Sequence, residues 1–171
     1  MSGKPEIYRR WFDFEKDVHR EVLSSLAAVP PDKRAAPEFK KAVDLMAHIL
    51  GTRWFWLERI GETSERPLKM FTKDFPFADL PARLSETDAA WDGYLGRLRE
   101  EELPRAVVWG RAEGPRFSNT VEDLLTQLFG HSAYHRGQIA LLLRQLGCEP
   151  PETEFLFWSR TPAGGSPPAF L

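Results

Sequence analysis

From Thr120 to Leu146 the chain places Val121, Leu124, Leu125, Leu128, His135, Ile139, Leu142, Leu143 and Leu146 at helical spacing, on a single stripe. Residues three and four apart share one face of a helix. This stretch is therefore a long helix with one side that has to be buried against other helices. It also carries two histidines four residues apart, His131 and His135, within Phe129-Gly130-His131-Ser132-Ala133-Tyr134-His135-Arg136-Gly137-Gln138. His135 falls near the centre of the stripe and His131 near its edge, so both are expected to point inward. A buried imidazole needs a hydrogen-bond partner or a metal to offset desolvation. A lone histidine there is most simply a hydrogen-bonded core residue. A pair at this spacing equally suits two ligands to one metal ion, and the residues alone leave both readings open.

Three earlier segments share the helical period. The first runs from about Ile7 to Val29, with Trp11, Phe12, Val18, Val22, Leu23 and Leu26 on its stripe and Pro30-Pro31 as its stop. The second opens at Pro37 and ends at Gly61, with Phe39, Val43, Met46, Leu50 and Leu57 on its densest face. The third lies near Pro81 to Leu103, with Leu84, Trp91, Tyr94, Leu95 and Leu98 as candidate core residues. The fourth, described above, opens with a capping box in which Asn119 and Thr120 precede Glu122 and Asp123. The expected fold is all-α, a four-helix bundle with long crossover loops. A short β-hairpin is expected near 106–118, from Val107-Val108-Trp109 and Arg116-Phe117. A length of 171 residues suits a single domain, over 1–160, followed by a flexible tail over 161–171 rich in Pro and Gly.

Composition narrows the function classes. A formal net charge of −2 argues against a binder of the nucleic-acid backbone. The single cysteine, Cys148, excludes an internal disulfide framework. No apolar run approaches the ~20 residues that span a bilayer. No secretory h-region follows Met1, so the cytoplasm is the expected compartment. Six Trp and twelve Phe indicate a bulky core, an aromatic-lined pocket or a buried interface.

A catalytic zinc site commonly takes three protein ligands and keeps one position for water or substrate. The candidates for a third ligand are His48 and His19. His48 lies nearly opposite the dense stripe of its helix, beside Asp44, Gly51 and Phe55, and periodicity leaves it either exposed or facing a wet cleft. His19, beside Asp17, Lys16 and Arg20, reads as a partly exposed surface residue. The zincin pattern needs Glu directly after the first His. Here that residue is Ser132, so no general base is built into the motif.

His48 followed by Trp54 on the second helix, and His131-x-x-Tyr134-His135-Arg136-Gly137-Gln138 on the fourth, resemble the DinB/YfiT-like superfamily. Pro151-Glu152-Thr153-Glu154-Phe155 also resembles the way such chains end, with Glu154 where Asp is common. The resemblance implies an antiparallel four-helix bundle, a homodimer, and one divalent metal, zinc or nickel, held by His48, His131 and His135. Iron also suits imidazole ligands. Three histidines with no fourth protein ligand leave an open coordination position, which suits a metal-dependent enzyme acting on a small molecule, hydrolase-like or, as the resemblance implies, a thiol-dependent S-transferase that uses a low-molecular-weight thiol. The alternative is a non-catalytic metal-binding dimer of a damage-inducible stress response.

Around such a centre several residues have two readings. Phe71 to Phe77, Val107 to Phe117 and Phe155 to Trp158 are either pocket walls or lids over the bundle end. Arg136 binds an anion or pairs with a carboxylate across a helix interface. Tyr134 is an acid near the metal or a packing residue, and Gly137 permits close helix packing. Cys148 is a fourth soft ligand or a bystander thiol. Asp44 or Glu38 is a candidate to orient a ligand histidine.

Overall fold

The structure is a computed structural model that describes residues 3–110 and 113–161. The fold is mostly helical. Its elements are α1 (Lys4–Ala27), α2 (Pro37–Ile60), α3 (Leu80–Arg97), β1 (Ala106–Gly110), β2 (Arg116–Thr120), α4 (Val121–Gln145) and α5 (Phe155–Ser159). The tail expected over 161–171 lies, beyond Thr161, outside the described residues. Among the described residues no helix is long and apolar enough to cross a membrane.

The ends of the helices follow from local chemistry. Proline sits in the first turn of α1, α2 and α3, where its missing N–H costs nothing. α2 closes on Gly61, whose φ of 94° is left-handed. There the Gly61 N–H bonds the Glu58 carbonyl at 3.1 Å and the Glu62 N–H bonds that of Leu57 at 2.9 Å. α4 opens with a complete capping box between Thr120 and Asp123. α3 is shorter than its periodicity suggests, ending at Arg97 rather than Leu103. Leu98 turns into extended backbone and buries its side chain. The Arg9 guanidinium, reaching over from α1, donates to the carbonyls of Leu95 and Leu98 at 2.8 and 2.9 Å.

α2 packs against α4, α3 and α1, and α1 also packs against α3 and α4. The side chains between them, including Val22, Leu26, Met46, Ile49, Leu50, Trp91, Ile139 and Leu143, are all but inaccessible to water. β1 and β2 form the expected antiparallel hairpin, with Trp109 opposite Phe117. The sequence gives no warning of α5. It is held by its aromatics, with Phe155 and Trp158 edge-on to Phe14 at 5.1 and 5.6 Å. These residues therefore pack on α1 and do not reach the cleft described below.

Two further sequence expectations are corrected. The buried stripe of α4 runs through Leu125, Leu128, Ser132, Arg136, Ile139 and Leu143, so Arg136 rather than His135 lies at its centre. His131 and His135 are half-buried on its flank. His19, expected at the surface, is fully buried. The reason is one four-residue polar cluster. The Glu15 carboxylate accepts from both Arg53 and Arg136, the latter at 2.7 Å. Arg136 also reaches His19 Nε2 at 3.5 Å. Burial, reinforced by the charges of Arg53 and Arg136, pushes the His19 pKa well below its usual value and keeps the ring neutral.

Candidate metal centre

His48 comes from the middle of α2, and His131 and His135 from successive turns of α4. The two helices bring the three rings together. His131 Nε2 lies 3.1 Å from His48 Nε2 and 3.1 Å from His135 Nε2. The three ligand atoms all lie within 4.8 Å of one another.

The outer nitrogens fix what the inner ones present. His48 Nδ1 is 2.6 Å from the Met70 carbonyl, which only accepts, so Nδ1 carries the proton. His135 Nδ1 likewise donates to Gln138 Oε1 at 2.7 Å. In their neutral forms both rings therefore aim an Nε2 lone pair at His131 Nε2. That nitrogen has at most one proton to share between two acceptors, and His131 Nδ1 is buried without a partner. Nitrogen lone pairs thus converge on one point with too few protons to satisfy them. A shared cation at the ~2.0–2.1 Å typical of metal–imidazole bonds would set neighbouring nitrogens about 3.0–3.4 Å apart. The spacing fits.

Electrostatics hold His131 and His135 in the ligating state. Burial, followed by the neighbouring charges of His135, His48 and Arg53, lowers the His131 pKa to about 4. His135 is also lowered, by burial first and with Gln138 opposing. All three residues proposed as ligands are therefore brought together. The orienting partners are Met70 and Gln138 rather than Asp44. The Asp44 carboxylate instead accepts from the Asp74 and Phe75 N–H groups at 3.2 and 2.8 Å.

Those two bonds explain how His48 comes to lie in a site. They tie the 62–79 segment across α2, and Phe71 stacks on the His48 ring at 4.9 Å. The segment can approach because residue 51 is glycine. A Cβ there would meet the Lys69 carbonyl oxygen at 2.2 Å and Met70 Cα at 2.9 Å, both backbone. Gly51→Ala should gain up to ~1 kcal/mol of helix propensity. We expect it to lose more than that in urea unfolding, and to weaken metal binding as well, because the shifted segment withdraws the Met70 carbonyl from His48. A variant of raised stability and unchanged affinity would contradict the close approach.

Other candidates are settled by position. Cys148 is half-buried beyond the end of α4, near the Leu146 carbonyl, and is not in the cluster. Tyr134 is exposed, its ring edge-on to His135 at 5.1 Å. Gly137 faces open space and allows no close helix contact. Arg136 takes the cross-helix pairing, with Glu15. Beside the centre lies a cleft of about 740 Å³ in which His48 and His131 form part of the wall. Phe71, Trp109 and Phe117, from two of the three predicted aromatic segments, also line it.

The arrangement is compatible with metal binding. A family model, DinB family, matches residues 1–163. No curated protein and no solved structure matches the chain with significance.

Proposed function

We propose that this chain, which belongs to the DinB family, binds one divalent cation through His48, His131 and His135 and uses it in a thiol-dependent transfer reaction. The observation that carries the reading is the convergence of three imidazole nitrogens with too few protons between them. Zinc or nickel suits such a donor set, and iron is acceptable to it. We read the four long helices as the antiparallel four-helix bundle of that family.

Bound there, the cation would supply Lewis acidity that lets a thiol or a water lose its proton near neutral pH. The chain's own residues hold and orient the ligands, and its aromatic side chains line the adjoining cleft. Among the described residues lining that cleft there is no carboxylate to act as a general base. This favours a thiol, acidic enough to ionise without one, over a hydrolytic reaction. Hydrolase-like chemistry is the weaker form of the proposal.

The test is conjugation of monochlorobimane with glutathione, mycothiol or bacillithiol. At least one thiol should be consumed well above the uncatalysed rate, and His135→Ala should return it to background. A full rate in that variant would contradict the assignment. A second reading, a non-catalytic metal-binding homodimer of a damage-inducible response, draws support from Tyr134 and Leu141. These are exposed and seven residues apart on one face of α4.

A further inference from the structure

The cleft beside the histidines has a direction. Its floor is one face of α2, which presents His48, Thr52, Trp56 and Arg59 in succession. His48 and Arg59 are eleven residues apart, or about 16 Å along the axis at ~1.5 Å per residue. Between the two ends the walls are aromatic, with Trp56 edge-on to Trp109 at 5.6 Å and Trp109 against Phe117 at 5.0 Å.

Two polar groups along this floor have nothing to bind. The Thr52 hydroxyl is buried without a hydrogen-bond partner, in a residue only 6% exposed. At the far end Arg59 lies over the Phe55 ring at 5.2 Å, and its Nε is buried and unpartnered. No carboxylate among the described residues pairs with Arg59. Arg66, on the same Phe55 ring at 5.7 Å, differs in being neutralised by Glu58 at 2.7 Å. A guanidinium held beside an apolar cleft without a counter-charge is a receptor for an anion, and its planar fork matches a carboxylate as it does a phosphate.

We infer that the cleft binds an elongated apolar molecule with a terminal carboxylate, the carboxylate at Arg59, the apolar body between the aromatic walls, and the opposite end at Thr52 and the histidines. The assignment of the histidine end as the reacting end rests on the function proposed above. The Arg59 end does not.

Binding of decanoate and of 1-decanol is measured by tryptophan fluorescence and calorimetry, on full-length protein with its metal content determined in the same samples. Decanol is the more apolar ligand, and a merely greasy cleft would prefer it. We expect decanoate to bind at least about tenfold more tightly, as a charge-assisted hydrogen bond permits. Arg59→Gln should abolish that preference, Arg59→Lys should keep part of it, and Arg66→Gln should leave it intact. Equal binding of the two ligands, or tighter binding of decanol, by the unaltered protein overturns the inference, whether or not Arg59→Gln folds. So does an undiminished preference in a folded Arg59→Gln. Protein that loads metal but shows no preference for decanoate refutes the carboxylate site alone. Protein that shows the preference but takes up no metal refutes the metal reading and leaves the Arg59 site standing.

Discussion

Glu15→Gln should cost the fold about 3–5 kcal/mol. Glu15, Arg53 and Arg136 are each 2% exposed, and the one carboxylate serves both guanidiniums. Glutamine keeps the shape and removes the charge, leaving two buried cations without the carboxylate that bonds them both. The rings over which they lie, Phe12 for Arg53 at 4.9 Å and Phe14 for Arg136 at 5.4 Å, are there in both proteins and so do not offset the loss. His19 cannot help, being neutral and itself only an acceptor towards Arg136. Domains of this kind have ~5–15 kcal/mol of total stability, so the variant should unfold at far lower urea. Arg136→Met should cost less, because Glu15 would still be paired with Arg53. A Glu15→Gln loss below about 1 kcal/mol would show that the cluster is not desolvated as described.

The second large effect concerns the histidines. Zinc at one hundred times its dissociation constant should stabilise the protein by about 2.7 kcal/mol. For a chain of this size that raises the melting temperature by roughly 5–10 °C. His131→Ala should remove both the binding and the shift, because His131 Nε2 is the atom that approaches both of its neighbours. Acid should act in the same direction. Unfolded imidazole titrates near ~6.5, whereas His131 in the fold titrates at about 4 and His19 well below its usual value. Between these limits the unfolded chain takes up protons that the folded chain refuses. Metal-free stability should therefore hold above ~6.5 and fall as the pH drops towards 4. Metal affinity should fall over the same range, since the ligands must be neutral to bind. Calorimetric melting at pH 7.5 and 5, with and without zinc, measures both. A metal shift that survives in His131→Ala would place the ion elsewhere.

Much of the fold is legible in the chain because its signals are local. Proline in the first turns, Gly61 past the end of α2 and the Thr120–Asp123 box each act within a few residues. The His131–His135 spacing is local too. His48 is not, and only a family likeness singled it out. A helical projection places it away from the core, and what covers it is the 62–79 segment, tied down by Asp44 and admitted by Gly51. Cross-helix pairing with a carboxylate was one of the two readings of Arg136, but its partner Glu15, and Arg53 beside it, were missed for a related reason. A hydrophobic stripe sends charged residues outward, yet here partners 38 and 121 positions apart neutralise one another inside. Helix α5 is shorter than any periodic signal and exists through its contacts with Phe14.

X-ray absorption at the zinc edge, on protein loaded with one equivalent, reads the coordination directly. Three imidazole nitrogens at about 2.0–2.1 Å are expected, falling to two or fewer in His48→Ala. A shell containing sulfur from Cys148, or one unaltered by loss of His48, would mean that the three rings do not share an ion.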